Sequence, residues 1–557
     1  MKKRILLIAV FMSLLVAPVV AQKSKNHNFE VAKHLDIFNR LYRTLDLMYV
    51  DTLDAGQVVE KGVHAMLSSL DPYTTYYSPE KEKDLKMMIT GKYAGIGAVV
   101  RYHQREKCVV IDEPYEDMPA AMVGLMKGDM VLSIDGEDMR GKTTSEVSSK
   151  LRGEAGTTFK LKVKRPSTGK TMEMSIKRKN IKFPDIPFYG FCDEGVGYIS
   201  LTGFTEGCAK NMRRAFVELK ERGAQQLVLD LRGNGGGSLA EAVEIVNLWV
   251  PKGITLVETK GKRKQSNRSY VTKVEPVDSL MPMVVLVNGE TASASEITAG
   301  SLQDLDRAII IGTRTYGKGL VQTPFDLPYS ASVKITTGKY YIPSGRCVQA
   351  INYSHSGGGY KERIPDSLTH VFYTRNGREV RDGGGIKPDV EIKPDTMPNI
   401  VLYLDRMDSI EVTFDYVTDY VAKHDQPNSP SEWQLSDEDY EDFKKKVVKS
   451  GFTYDRMTEK KLDELMEMAR FEGYYDESKE EFELLKKKLK HDVARDMERY
   501  KEQIKKMLEG DIIVSWFYQR GAYEASIKDD KVLKEALKFL KDEKAYRQLL
   551  RGKENKK

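Results

Sequence analysis

The sequence predicts an α/β protein with a largely parallel sheet at its core, a β-rich inserted domain, and helical regions at both ends. Three observations support this fold class. Between residues 180 and 395, apolar runs typical of strands buried on both faces alternate with amphipathic helices. Residues 89–178 contain short strands, and the residues after 397 are charged with helical periodicity. A chain of 557 residues is also too long for one core, so several domains are expected.

The composition excludes some classes of function. Lys and Arg total 88 against 82 Asp and Glu, a net charge of +6, and 40% of the residues are hydrophobic. These values argue against a polytopic membrane protein and give no reason to expect a nucleic-acid partner. The four cysteines lack the paired spacing of a zinc site, so isolated thiols are expected rather than a metal site or a catalytic thiol; they are Cys108, Cys192, Cys208 and Cys347. An oxidising compartment would allow disulfides, but the sequence does not say which pairs would form.

The amino terminus has the layout of a secretory signal peptide. Basic residues 2–4 precede an apolar run at 5–17, and Val19 and Ala21 provide a small-residue cleavage site. We therefore predict a signal peptide at residues 1–21 and export, with the bacterial periplasm as the expected compartment. The alternatives are a membrane-associated or extracellular location. An uncleaved anchor is less favoured because the apolar run is short for a span, and no second run of about 18 apolar residues follows it.

The β-rich segment at 89–178 resembles a PDZ domain. The resemblance rests on the loop Gly95-Ile96-Gly97, a helix start at 119–121, the segment 125–129 leading into a strand, and the turn at 135–136. A PDZ domain implies binding of an extended C-terminal peptide at a sheet edge, with backbone N–H groups of Gly95, Ile96 and Gly97 around its carboxylate. Taken alone, the two glycines are equally compatible with an ordinary turn.

A serine-rich segment at 288–297 follows a buried strand and precedes an amphipathic helix. In such a strand–turn–helix context Ser293 can be held exposed at the edge of a sheet, and the N–H of Ala294 is available to an oxyanion. However, Ser293 and Glu296 also have the spacing of a helix capping box. The segment by itself leaves catalysis and capping open.

Lys318 is the candidate base for this serine. Gly317 and Gly319 allow close backbone packing around it, and the apolar run 309–311 precedes it. Burial would lower the pKa of a lysine toward the range needed for proton transfer. Gln322 could orient the amine. A solvated loop lysine and an incomplete phosphate-binding loop are the alternatives.

A glycine-rich loop at 230–238 forms the third element. It follows a buried strand and opens a helix, so it can direct backbone N–H groups at developing negative charge. A phosphate site or a plain loop is equally compatible with this segment.

Together these motifs resemble the carboxy-terminal processing (tail-specific) serine peptidases over residues 35–395. The motifs occur in this order: 71–73, the PDZ segment, 230–237, 291–297, 316–322, 340–346 and 385–389. The resemblance implies a crotonase/ClpP-like α/β protease core at 179–396 with an inserted PDZ domain at 89–178. Helical periodicity predicts helical regions at 22–88 and 397–557, and the resemblance does not cover the second of these.

The resemblance further implies a role for each site residue. Ser293 would be the nucleophile, Lys318 the general base and Gln322 the supporting amide, in peptide hydrolysis through an acyl-enzyme that needs no metal or cofactor. The oxyanion hole would be formed by Ala294 with a glycine of the loop, Gly237 or its neighbour Gly236. The implied partners are proteins or peptides with unstructured C-termini.

The carboxy-terminal helices have no assigned role in the sequence. Residues Phe482, Leu485, Leu489, Val493 and Met497 predict one narrow apolar stripe on a solvated helix. Packing on the protease, a homodimer interface and a substrate-gripping arm are all compatible with it. Two other functions compete with proteolysis: an inactive PDZ-bearing exported scaffold or chaperone, and a crotonase-like acyl-CoA enzyme.

Overall fold

The computed structural model describes residues 27–81, 91–350, 364–393, 396–406, 410–490 and 492–552. The predicted signal peptide at 1–21 lies outside these residues. The described residues divide into two compact units, one formed by residues 27–76 and 333–335 and the other by the remaining described residues. The first unit contains two helices, α1 at residues 27–48 and α2 at Ala55–Ser68, and the short strand β1 (Thr75–Tyr77) begins near its end.

The β-rich domain contains eight short strands and two helices: β2 (Lys92–Gly95), β3 (Ala98–His103), β4 (Cys108–Pro114), α3 (Pro119–Met122), β5 (Met130–Ile134), β6 (Glu137–Asp138), α4 (Thr144–Leu151), β7 (Thr158–Lys164), β8 (Thr171–Lys177) and β9 (Lys179–Lys182). Its main sheet has the order β3-β4-β5-β7-β8, with β6 beside β5, while β2 pairs with β9. Apolar residues alternate along β7, so one face is buried and the other is solvated. Helix α4 starts at a capping box made by Thr143 and Glu146.

The α/β domain is built on a six-stranded sheet with the order β10-β11-β12-β15-β16-β21. These strands are β10 (Phe188–Asp193), β11 (Val196–Ser200), β12 (Gln226–Asp230), β15 (Met283–Val287), β16 (Ile309–Gly312) and β21 (Val390–Glu391). Only β10 runs antiparallel to its neighbour. Every residue of β11, β15 and β16 is buried, which explains their continuous apolar sequence and confirms the predicted parallel core.

Three helices cover one face of this sheet: α5 (Cys208–Glu221), α6 (Leu239–Val246) and α7 (Ala294–Asp304). A second sheet joins β13 (Thr255–Lys260) to β14 (Arg268–Val271) and to β18 (Ser332–Tyr341), and β18 also pairs with β17 (Leu320–Asp326). Asn376 and Gly377 lie in the turn of a hairpin between β19 (Val371–Tyr373) and β20 (Glu379–Arg381).

The carboxy-terminal region is helical, as predicted. Its helices are α8 (Asn399–Arg406), α9 (Val412–Lys423), α10 (Asp437–Ser450), α11 (Met457–Glu472), α12 (Lys479–Leu489), α13 (Val493–Arg499), α14 (Lys501–Ile527), α15 (Lys531–Lys541) and α16 (Glu543–Arg551). The prediction that a single helix carries the stripe from Phe482 to Met497 is wrong. The chain leaves helical geometry at Lys490 (φ −52°, ψ 134°), so the stripe is divided between α12 and α13.

Two of these helices complete the α/β domain. Leu533, Ala536 and Leu540 of α15 and Tyr546 of α16 pack on the sheet face opposite α5–α7, against residues such as Val228 and Ile309. A parallel sheet needs both faces covered, because its strands are apolar on both sides. Part of the carboxy-terminal region therefore packs on the α/β sheet, one of the arrangements left open by the sequence.

The carboxy-terminal region also contacts the β-rich domain. His103 of β3 is buried between the carboxylates of Glu411 and Asp415, with Nδ1–Oε2 and Nε2–Oδ1 distances of 2.7 and 3.1 Å. Further along, Gln519 of α14 donates to both oxygens of Glu113. These polar contacts place the β-rich domain directly against α9 and α14.

Within the described ranges, no helix is both long and apolar enough to cross a membrane.

Candidate active site

The three loops singled out in the sequence leave the sheet at the same edge. They follow the adjacent parallel strands β12, β15 and β16. In an open α/β sheet, the carboxyl ends of such strands form the usual position for a functional site. The topology therefore brings together the glycine loop, the Ser293 segment and the Lys318 loop, which are separated by up to about 90 residues in sequence.

Ser293 occupies the position before α7 with a strained backbone. Its φ and ψ are 57° and −116°, whereas N-cap residues ordinarily have extended angles, as Thr143 and Ser238 do here. Non-glycine residues in such sparsely populated regions persist only where the surroundings impose them, and they cluster at functional sites. The residue does sit at the helix start, as the capping interpretation required, but its conformation is not that of an ordinary cap.

Glu296 connects the Ser293 segment to the Lys318 loop. Its fully buried carboxylate accepts the N–H of Ser293 (2.9 Å) and the N–H of Lys318 (2.8 Å) on one oxygen. The other oxygen accepts the Thr315 hydroxyl (2.6 Å) and the Gly317 N–H (2.7 Å). Burial raises the pKa of this carboxyl, while the hydrogen bonds it accepts favour its charged form. One side chain thus fixes the backbones of both candidate catalytic residues.

The glycines beside Lys318 serve the close packing that the sequence indicated. A Cβ on Gly317 would lie 2.2 Å from the Cβ of Ala350, and one on Gly319 would lie 2.7 Å from the N of Gln349. Gly317 also has a φ of 88°, which side chains rarely adopt. Lys318 itself is half-buried. The loop is therefore held against neighbouring backbone on both sides of the lysine.

Tyr340 lies against both candidate residues and was not singled out for a role by the sequence. Its buried hydroxyl donates to the carbonyl of Lys318 (2.7 Å) and is 3.3 Å from that of Ser293.

Gln322 lies on β17, where its Nε2 donates to Oγ1 of Thr336 at 3.3 Å. The amide of Gln322 is therefore tied to β18, and its orientation of the amine of Lys318 stays a prediction.

Asn234 organises the glycine loop. Its side chain is fully buried and donates from Nδ2 to the carbonyl of Leu201 (2.7 Å), while Oδ1 accepts the N–H of Gly236 (2.9 Å). Its carbonyl accepts the N–H of Ala292 (3.0 Å) and the hydroxyl of Ser295 (2.9 Å). The glycine loop is thereby bonded directly to the residues on either side of Ser293.

The hydrogen bond from the Gly236 N–H bears on the predicted oxyanion hole, in which the role of each glycine stays a prediction. The N–H of Gly236 is engaged by Asn234, so Gly237 is the remaining loop candidate for an oxyanion hole. Gly236 instead provides a close approach: a Cβ there would lie 2.8 Å from both the N of Ala294 and the Cβ of Ser293. Within the part of the chain that the structure describes, neither the N–H of Gly237 nor that of Ala294 donates to an acceptor.

The candidate peptide-binding loop of the β-rich domain lies before its edge strand β3. The carbonyls of Ile96 and Gly97 accept the N–H groups of Ala120 (2.8 Å) and Tyr115 (2.9 Å), which fixes the loop on α3. The N–H groups of Ile96 and Gly97 donate to no acceptor among the described residues. Gly95 is the last residue of β2 and pairs with Lys179. Helix α4 packs beside this edge strand.

The remaining reactive side chains do not join this site. All four cysteines are free thiols, and burial raises their pKa, to about 11 for Cys108 and about 12 for Cys192. A buried thiol with a raised pKa is a poor nucleophile. No described histidine forms a hydrogen bond with Ser293, and His103 is engaged by two carboxylates far along the chain.

Comparison with known proteins assigns the chain to a family. The model of peptidase family S41 matches residues 195–354, a PDZ domain model matches 110–165, and the C-terminal helical domain of probable PDZ-proteases matches 403–540. The carboxy-terminal-processing protease of Bartonella bacilliformis is 33% identical over 346 residues, covering 61% of this chain and 79% of its own length. The chain belongs to peptidase family S41. A second relative, the carboxyl-terminal-processing protease of Picosynechococcus sp., is 37% identical over 288 residues, or 51% of this chain and 68% of the relative.

Membership of family S41 confirms the resemblance to carboxy-terminal processing serine proteases, and the β-rich domain is a PDZ domain. A solved structure of a photosystem II D1 C-terminal processing protease is 27% identical, covers 65% of this chain and 93% of that chain, and has a TM-score of 0.35. The roles of individual residues in this S41 protease stay predictions, as does the crotonase/ClpP-like form of its core.

Proposed function

We propose that this S41 protease is an exported endopeptidase that cleaves peptide bonds with a Ser293–Lys318 dyad. The observation that carries the proposal is the sharing of one buried carboxylate, Glu296, by the backbones of a strained serine and a lysine. A glutamate that served only to cap α7 would not also accept donors from the distant Lys318 loop. A solvated lysine would not need its backbone N–H held in the core.

The reaction follows from the positions of these groups. The neutral amine of Lys318 accepts the hydroxyl proton of Ser293, and Oγ attacks the carbonyl carbon of the scissile bond. The N–H groups of Gly237 and Ala294 stabilise the negative oxygen of the tetrahedral intermediate, helped by the N-terminal dipole of α7. The protonated amine then gives its proton to the leaving nitrogen, and the C–N bond breaks to leave an acyl-enzyme.

In deacylation, water replaces Ser293 as the attacking nucleophile, and Ser293 becomes the leaving group. Lys318 takes a proton from water, the resulting hydroxide attacks the acyl carbon, and the proton returns to Oγ of Ser293 as the product acid leaves. Gln322 orients the amine through both steps. Every proton and bond is accounted for by these side chains and water, so the proposed route requires no metal or cofactor.

The PDZ domain supplies the substrate preference in this proposal. An extended substrate tail adds to the free edge of β3, and the N–H groups of Ile96 and Gly97 bind its terminal carboxylate, with Gly95 giving the chain room to approach. Proteins with unstructured C-termini are therefore the proposed substrates. The basic and apolar segments at the amino terminus support export to the periplasm.

The test is cleavage of casein, an unstructured protein, by the purified chain and by Ser293→Ala. We expect cleavage by the wild type and none by the variant. Ser269→Ala, which removes an exposed serine of β14, is the matched control and should cleave as the wild type does. Equal cleavage by Ser293→Ala, or no cleavage of several unstructured substrates by the wild type, would overturn the proposal.

A further inference from the structure

A carboxylate from the carboxy-terminal helices reaches the base of the glycine loop. Oδ2 of Asp530 accepts a hydrogen bond from Nη2 of Arg232 at 2.5 Å. Arg232 is the second residue after β12 and stands immediately before Gly233, where the glycine loop begins. Almost 300 residues separate the two partners in sequence.

The second oxygen of Asp530 accepts a different set of hydrogen bonds. Oδ1 accepts the N–H groups of Val532 (2.8 Å) and Leu533 (3.0 Å), which caps helix α15. Because α15 packs on the protease sheet through Leu533, Ala536 and Leu540, the carboxylate is fixed relative to that sheet. A capping residue held in this way has little freedom to move, so it is a rigid anchor for the guanidinium.

Arg232 is clamped from two sides. Asp230 accepts its Nε (2.9 Å), its Nη2 (2.5 Å) and its backbone N–H (2.9 Å), and also accepts the hydroxyl of Tyr198 (2.7 Å). Burial alone would lower the pKa of Arg232, but the hydrogen bonds and charges of Asp230 and Asp530 raise it, so the guanidinium stays charged. Charge-assisted bonds of this kind are strong and directional.

The other anchors of the loop come from the protease segment itself. Asn234 fixes its centre, and the backbone of Phe204 fixes its end by accepting the N–H of Ser238 and donating to the carbonyl of Gly236. Asp530 differs because it belongs to the carboxy-terminal helices. Loss of its contact would release one side of Arg232 while leaving the rest of the loop bonded.

We infer that Asp530 is a positioning residue for catalysis: by holding Arg232, it sets the placement of the glycine loop and of the Gly237 N–H within it. The inference rests on the proposed function, since the loop matters for rate only if it stabilises an oxyanion. The carboxy-terminal helices are then part of the catalytic apparatus, although none of their residues touches the substrate.

The variant Asp530→Asn tests the positioning of Arg232 by Asp530 without removing the cap of α15. Asparagine caps helices as well as aspartate does, so the variant keeps α15 while losing the charge opposite Arg232. On a peptide that the wild type cleaves, we expect kcat to fall about tenfold with KM within about twofold, because only transition-state stabilisation is lost. The matched control is Asp529→Asn, which alters an exposed aspartate that pairs with surface Lys506 and Lys534. A wild-type kcat in Asp530→Asn would show that Asp530 only caps its helix.

The action through Arg232 has its own test. In an Arg232→Gln background, Asp530→Asn should have no further effect on kcat, because its partner is already absent. A second, full tenfold loss would contradict the inference.

A measurement without substrate distinguishes a failure of the positioning role from a failure of the proposed function. Hydrogen exchange of the amides in residues 231–238 should be about fivefold faster or more in Asp530→Asn than in Asp529→Asn, because one side of the loop is released. If exchange is unchanged, the positioning role is wrong even if the protein is a protease. If exchange is faster but Ser293→Ala still cleaves casein, the proposed chemistry is wrong and the anchoring of the loop by Asp530 stands.

Discussion

The Lys318 loop and the glycine loop meet at the same edge of the sheet but are held in different ways. Three donors of the Lys318 loop converge on one buried carboxylate, Glu296, which also accepts the Ser293 N–H. The glycine loop has several independent anchors, from Asn234, Phe204 and the Arg232–Asp530 pair. Because Glu296 bonds both candidate catalytic segments at once, its alteration predicts a severe effect, whereas the separate anchors of the glycine loop predict graded effects.

The largest effect is expected for Glu296→Gln. The amide would present an NH₂ group where one carboxylate oxygen now accepts two donors, so either the Ser293–Lys318 pair or the Thr315–Gly317 pair would lose its acceptor. Misplacement of reacting groups by about 1 Å costs about 100-fold in rate, and we expect a loss of at least this size in kcat/KM for casein-derived peptides.

Glu290→Gln is the matched control for this change. Glu290 lies three residues before Ser293 on the same segment, but it is exposed. Its substitution should leave kcat/KM near that of the wild type. If Glu296→Gln were equally harmless, the Lys318 loop would not depend on this carboxylate, and the contrast with the glycine loop would be lost.

A smaller effect is expected for Asn234→Ala. The carbonyl of Leu201 and the N–H of Gly236 would lose their partners, but Phe204 and Arg232 would still hold the loop. Removal of an oxyanion-hole donor typically lowers kcat about 100- to 1,000-fold, so a displaced donor should cost less, about 10- to 30-fold. Asn234→Asp restores the acceptor for Gly236 and should recover part of the rate. A loss as large as that of Glu296→Gln would show that this loop also has a single critical anchor.

The smallest effect is expected for Tyr340→Phe, which removes one hydroxyl and keeps the ring. The carbonyls of Lys318 and Ser293 would lose a shared donor while Glu296 continued to hold their N–H groups. A neutral hydrogen bond contributes about 1 kcal/mol, so a three- to tenfold fall in kcat is expected with KM unchanged. Tyr341→Phe, on the opposite face of the same strand, is the control. A loss near 100-fold for Tyr340→Phe would show that Tyr340, and not Glu296, is the residue that mainly holds Ser293 and Lys318 in position.

The sequence was informative where function depends on the ends of strands. Apolar runs located β12, β15 and β16, and because parallel neighbours end at one edge, the positions of Ser293, Lys318 and the glycine loop could be predicted together. The PDZ segment was recognisable from its glycine loop and turns. The family assignment supports these motifs as a set, while the role of each residue still requires mutation.

Other features depended on contacts that leave little trace in a sequence. Glu296 could be read only as part of a capping box, since its bonds to Thr315 and Gly317 cross between loops. Gly236 could not be distinguished from Gly237, because the acceptor of its N–H is a side chain two residues away. Asp530 lies so far along the chain that only the packing of α15 on the sheet brings it to Arg232.

The dyad is tested most directly by the pH dependence of casein cleavage by Lys318→Ala, measured beside Ser293→Ala and the double variant. Lys339→Ala, which removes an exposed lysine of β18, is the control. If Lys318 is the base for Ser293, all three variants should be equally inactive from about pH 6 to about pH 10, since residues that act as a unit are not additive. Recovery of cleavage by Lys318→Ala as the pH rises, or a double variant slower than either single one, would contradict the Ser293–Lys318 mechanism.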